Sequence, residues 1–459
     1  MRPNRLAAVA GALLTAGGCA APAHVPRAIE KPAGPLTLPR AVELCLRNNP
    51  DIQAAAERVA VARGAIDEAV SSCWPVLQFV ESFTMVDRPS QAFAFRLDQR
   101  RFSLPSDLPD PGITTDWRTG LGASLTLYDG GRRRARVQAT VAEAQSAAAE
   151  AERVRRDLAL EVARAYAMVL KARETASDQE TSLKTLDEHL RITEAREGVG
   201  AARRSDVLAV RVRVAETREA KIAASNAAER ALAGLRVLLG LEVDEPIELA
   251  GPLPVGDRPR GDLRALLDLA KARRWELVRA SKEVEAAEAR LREALATYHP
   301  DVTLFGGFGF DAKNPAHFEY GNWSWGFSFV KDLFDILRAP HRVRQAAAAR
   351  DAAHAAARKA LLEVQLDVKN ALLDGEESDA RFEVAAQAVE LAEETLRLVE
   401  AEYRAGAATV TKLLDAELAL TQARTRLSSA AHDRALSRIA LAHAVGEFPA
   451  PPEPTEERP

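Results

Sequence analysis

At 459 residues the chain can hold two or three domains, and 28% charged with only 5% aromatic residues favours long helices over a compact catalytic core. A net charge of -4 with interleaved signs excludes a dedicated nucleic-acid binder. Beyond the N-terminus no segment reaches the ~18 consecutive apolar residues of a membrane-spanning helix.

Arg2 and Arg5 precede the short apolar run Leu6 to Ala16, the pattern of an export signal over 1–18. Ala16-Gly17-Gly18-Cys19 makes Cys19 the lipidation candidate, with Ala21-Pro22-Ala23 as the rival cleavage site. Either route predicts export. Residues 19–37, carrying Pro and Gly, form a tether.

The first structural repeat is expected over 38–241. Leu38 to Ser72 reads as helix with a break at Asn48-Asn49-Pro50, followed by strands at 76–84 and 118–128 with a Pro-containing loop between them. A long helix runs from Gly130 to Glu197, and a turn leads into a helix from Ser205 to Leu239. Residues 242–262, with Pro246, Pro252, Pro254 and Pro259, link the repeats. The second repeat, 263–448, has the same order: helix 263–297, strands 302–310 and 323–331, a long helix to Ala405, a turn, and helix 410–445. A tail, 449–459, follows.

Two offsets record the duplication. Tyr128-Asp129, Gly200 and Gly240 return as Phe334-Asp335, Gly406 and Gly446, 206 positions later, and Pro75 answers Pro300 at 225. Each long helix spans about 68 residues, close to 100 Å at ~1.5 Å per residue, and each flanking helix about half that. Half-length helices stacked end to end then match one long helix, which predicts a cylinder. Stripes such as Leu413, Ala416, Leu420, Ala423 and Leu427 supply its heptad-like seams.

In Trp323-Ser324-Trp325-Gly326-Phe327-Ser328-Phe329 large apolar residues alternate with small ones, as in a transmembrane β-barrel. The weakest strand is 76–84, where Glu81 interrupts the face of Leu77, Phe79 and Phe83. The alternative is a soluble sheet packed on one side. Four strands cannot close a barrel, for which roughly eight is the lower limit, so several chains must pool them. Three chains give twelve strands and pseudo-sixfold symmetry.

Cys45 and Cys73 fall on one helical pattern and read as small apolar residues; the eight His show no ligand spacing. There is no nucleophile elbow or phosphate loop, and Gly306-Gly307-Phe308-Gly309 lies inside a strand. No enzyme activity and no cofactor are expected.

Leu36-Thr37-Leu38, Asn48-Asn49-Pro50, Leu127-Tyr128-Asp129-Gly130-Gly131-Arg132, the stretch Leu158 to Tyr166, and Tyr403-Arg404-Ala405-Gly406 with Leu413-Leu414-Asp415-Ala416-Glu417 come in this order. Through them the chain resembles the TolC-type outer-membrane efflux protein family. The resemblance implies a mainly α homotrimer: a long α-helical barrel in the periplasm of a Gram-negative bacterium and a shared 12-stranded barrel among outer-membrane lipids. It implies a passive exit duct that works with a periplasmic adaptor and an inner-membrane transporter, in drug or metal efflux. Type I protein secretion is the alternative, and a periplasmic structural or adaptor coiled-coil protein is the rival class. It assigns the turns at 198–206 and 404–415 to a pore-constricting tip. Asp206, Tyr403 and Asp415 match its pore and closing residues; Lys412 stands where some members have a second acid, and Ala408 where some have an Arg. A ring of Lys412 beside Asp415 would form a salt-bridged constriction. Gly200 and Gly406 mark the turns, and Arg203 and Arg204 face either the adaptor or solvent. Asp206 also fits a helix first-turn acid. Arg132, Arg133, Arg134 and Arg136 would lie near head groups or on a solvated helix face.

Overall fold

The computed structural model describes residues 29–32, 34–103, 112–253, 261–315, 318 and 320–448. Region 1–18, Cys19, part of the tether and the tail 449–459 lie outside the described residues. The elements are α1 (Leu38–Asn48), α2 (Pro50–Ser71), β1 (Val76–Val86), α3 (Pro89–Asp98), β2 (Thr114–Tyr128), α4 (Arg132–Gly198), α5 (Arg204–Leu238), α6 (Leu263–Arg273), α7 (Trp275–Ala296), β3 (Asp301–Ala312), β4 (Gly321–Val330), α8 (Asp335–Arg404) and α9 (Val410–Ala444). They form two compact units. One contains Val61–Ala144 and Lys282–His354; the other contains Ala28–Ala60, Gln145–Ser281 and the chain from Ala355 onward.

The first unit is built on one antiparallel sheet in the order β1-β2-β3-β4. Its register, Phe79↔Leu121, Leu121↔Phe308 and Phe308↔Trp323, aligns large side chains across all four strands. The opposite face carries Gln78, Gly122, Gly307 and Ser324 in the neighbouring register positions. Phe305 is the large exception there, and Gly326 opposite accommodates its ring: a Cβ at Gly326 would meet Phe305 Cζ at 3.0 Å. Among the described residues nothing covers the apolar face: Leu77 is 77% exposed, Trp323 72% and Phe329 71%. The described residues supply no layer that a soluble sheet packed on one side would need.

Two features of this unit were not legible beforehand. The segment after β1, expected as loop, contains α3, started by Pro89 in its first turn and seated by buried Ala92. The arginines after β2 are braces. The Asp129 carboxylate accepts the Gly131 and Arg133 N–H groups, each at 3.1 Å, and the Arg133 guanidinium at 2.9 Å. Arg133 also donates to the Ser72 and Thr126 carbonyls, and Arg132 pairs with Asp301. Arg132 and Arg133 therefore fix the strand-to-helix turn, a local role that the sequence pattern did not show. Gly130, at φ +68°, is required there because a Cβ would stand 2.5 Å from His299 Cβ.

The second unit is anchored by Tyr166 of α4, fully buried in an apolar cluster with Leu36, Leu44, Val162 and Leu239. Its hydroxyl lies 3.0 Å from the Leu36 carbonyl and 2.9 Å from that of Ala250, where Leu36 and Leu249 form a parallel bridge. The break between α1 and α2 is made by Asn49, held extended by Pro50. Its side chain donates to the Leu238 carbonyl at 2.9 Å and accepts the Asp51 N–H at 2.8 Å.

The second repeat breaks at the equivalent place, dividing the helix expected over 263–297 into α6 and α7. Extended Arg274 makes this break with no proline; its guanidinium holds Glu276 at 2.8 and 2.9 Å, Asp367 at 3.2 Å and the Ala444 carbonyl at 3.3 Å. The two sequence offsets meet here. A Cβ on Gly240 would touch the Asn48 carbonyl at 2.8 Å, and one on Gly446 would touch Arg273 Cβ at 2.8 Å, the same contact in each repeat.

Tyr166→Phe removes a hydroxyl from two buried carbonyls and should cost about 1–3 kcal/mol. Calorimetry of the detergent-solubilised protein should show a lower Tm; an unchanged Tm would deny the anchor.

Candidate functional site at the helix turns

The turns joining α4 to α5 and α8 to α9 have one design, dictated by glycine. Gly200 (φ +77°) and Gly406 (φ +76°) adopt the left-handed conformation just past a helix end. Ala201 N–H reaches back to the Arg196 carbonyl and Ala407 N–H to the Glu402 carbonyl, each at 2.8 Å, while the glycine N–H bonds one turn inside. These are Schellman closures, and they satisfy carbonyls that a helix end would otherwise leave orphaned.

The next helices start differently. The Asp206 carboxylate accepts the Arg203 N–H at 3.1 Å, and the Asp206 N–H donates to the Arg203 carbonyl at 2.9 Å. Asp206 thus serves as the first-turn acid of α5, a role favoured by the helix dipole. At α9 the Thr409 hydroxyl accepts the Lys412 N–H at 3.3 Å.

Lys412 reaches Glu402 at 2.7 Å, and Asp415 lies 3.9 Å from Arg213 of α5. Within one chain Lys412 thus makes an ion pair inside the α8–α9 hairpin and Asp415 one between hairpins. Arg204 pairs with Glu197 at 3.4 Å, and the Arg196 guanidinium stacks 4.9 Å above the half-buried Tyr403 ring. Tyr403 packs against two apolar clusters, one with Leu186, Val210 and Leu414, the other with Val399 and Leu413. Its position is set by packing and a cation–π contact.

The pattern reading passed over one pair. His189 of α4 contacts the Glu417 carboxylate of α9, and both side chains are largely buried. The signal was available: Glu417 follows Leu413 by one turn on the apolar stripe, where a carboxylate needs a partner.

The fold and turns define the class: a duplicated chain of paired helical hairpins carrying a small sheet with a bare apolar face. The family model described as "Outer membrane efflux protein" matches residues 41–241 and 266–447, and the chain belongs to that family. It is 24% identical over 405 residues to outer membrane protein TolC of Vibrio cholerae, covering 87% of this chain and 88% of that one. It is also 24% identical over 412 residues to the pyoverdine export outer membrane protein OpmQ of Pseudomonas aeruginosa, covering 88% and 84%. The crystal structure of the outer membrane protein VceC from Vibrio cholerae superimposes with a TM-score of 0.78 at 23% identity, over 89% of this chain and 96% of that one. The chain is accordingly an outer-membrane protein of the efflux class with the fold of these channels.

Asp206→Ala removes an acid that holds the N–H of the N-cap residue Arg203 and should weaken the start of α5 by about 0.5–2 kcal/mol. Faster amide exchange over residues 204–208 is the expected result; unchanged exchange would show that the carboxylate contributes nothing to the turn.

Proposed function

We propose that the chain is the passive exit duct of a tripartite efflux pump, assembled as a homotrimer and coupled to a periplasmic adaptor and an inner-membrane transporter. The observation that carries this reading is the sheet, apolar and bare on one face, small and polar on the other, and closed by no further strand among the described residues. Strands of 10 to 15 residues match or exceed the ~9–11 needed to cross a bilayer. Three copies supply the twelve strands of a closed barrel. Small-molecule cargo is favoured over protein secretion by the lipobox-like Cys19, the proposed anchor, and by the name of the OpmQ relative. The repeats 38–241 and 263–448 each contribute one hairpin to the wall. The proposed constriction is lined by Asp206, Tyr403, Lys412 and Asp415, and the turns with Gly200, Arg203, Arg204 and Gly406 face the adaptor. This duct performs no catalysis.

Light scattering on the detergent-extracted particle should give three chains, and intact mass spectrometry should give Cys19 as an acylated N-terminus. A monomer released without detergent would overturn the duct, and an unmodified chain would overturn the anchor.

Lys412→Asp replaces the cation of an exposed ion pair with a second acid beside Glu402. Planar-bilayer recordings should show increased cation preference; unchanged selectivity would remove Lys412 from the pore.

A further inference from the structure

Three imidazoles meet carboxylates along a single helix–helix seam. His189 of α4 lies on Glu417 of α9, His432 of α9 lies 3.0 Å from Glu174 of α4, and His443 of α9 lies 3.1 Å from Asp157 of α4. This is the seam between the first hairpin, α4–α5, and the second, α8–α9. The links within each hairpin are of another kind: Glu194–Arg211 in the first, and Asp379–Arg434 and Glu393–Arg424 in the second, at 2.6 to 2.8 Å. Arginine keeps its charge at any physiological pH, whereas imidazole changes charge near neutrality. Mild acid therefore acts on one seam and leaves the hairpins intact.

We propose that the α4–α9 seam carries a proton-operated latch, His189 on Glu417, that holds the two hairpins together when the His189 imidazole is charged and loosens when it is neutral. His189 carries the latch because of what surrounds it. Glu417 of α9, Glu400 of α8 and Glu188 of its own helix all favour its charged form. The nearby cations are engaged elsewhere, Arg424 of α9 with Glu393 and Arg213 of α5 with Glu216 and Asp415.

The other two pairs lie among more cations. Glu174 faces His432 with Lys171–Asp433 one turn away and Arg434 and Arg438 on Asp379 of α8. Asp157 is shared between His443 and Arg153, with Arg274, itself on Glu276 and Asp367, adding its field.

The hydrogen bond that the His189 imidazole donates to the Glu417 carboxylate holds the His189 pKa above its ordinary 6.5, with burial opposing and the surrounding carboxylates adding to the rise. A raised folded value means that the latch is fully engaged below the ordinary value and is lost as pH climbs through the raised one. Its consequence for transport, easier separation of the hairpins at higher pH, rests on the duct reading.

The test is amide exchange over residues 417–443 of the assembled wild-type protein at pH 6 and pH 8, corrected for intrinsic chemistry. Protection should be severalfold greater at pH 6, and His189→Gln, which keeps a donor but cannot titrate, should remove most of the difference. Equal protection of the wild type at the two pH values overturns the latch, whether or not the variant assembles. Bilayer recordings of the same preparations separate the two claims. A conducting wild-type channel that His189→Gln makes less pH-sensitive supports the latch; a protein that never conducts fails the duct reading and leaves exchange to decide the latch.

Discussion

A four-stranded sheet with one bare apolar face is the constraint on which the rest of this molecule depends. In water, Trp323, Trp325, Phe327, Phe329, Leu77 and Phe79 would form an exposed patch of the kind that marks a membrane or partner surface. The outer edges of β1 and β4 add rows of backbone groups that need a pairing strand. In the proposed trimer, hydrocarbon and further copies of the same sheet would answer both requirements together, because a closed barrel has no edges. The turn braced by Asp129 and Arg133 then matters because it carries β2 directly into α4.

Duplication gives the wall its regularity, and the repeats reach the same geometry by different chemistry. The first breaks its short helices with Asn49 and Pro50; the second uses Arg274, tied to Glu276, Asp367 and the Ala444 carbonyl. Each break is received by a left-handed glycine, Gly240 or Gly446, that leaves room for the opposing chain. The shared requirement is close approach. The side chains that enforce it are free to differ.

At the turns, one set of residues serves local structure before any duct role. Asp206 caps a helix, Lys412 neutralises Glu402 and Tyr403 fills a seam between apolar clusters. A charge that is also structural restricts what substitution can do there, since replacing it also changes the turn. The His189–Glu417 pair lies next to these residues, since Glu417 follows Asp415 by two positions, whereas His432 and His443 meet their carboxylates farther along α9.

How much of this was legible before the fold follows from the range of each interaction. Period-2 and heptad patterns, left-handed glycines and the Asn-Pro break are local, and they predicted the strands, the long helices and the turns from neighbours a few positions away. The repeat offsets extended that reading to the whole chain. The break at Arg274, the braces at Arg132 and Arg133, the partner of Lys412 and the pairing of His189 with Glu417 depend on residues between 10 and 228 positions away in sequence. No local pattern encodes such distances. Periodicity, the sequence by itself, determined which residues face inward; only the tertiary structure decided which charges meet, because ion pairs are selected by the register of helices packed side by side.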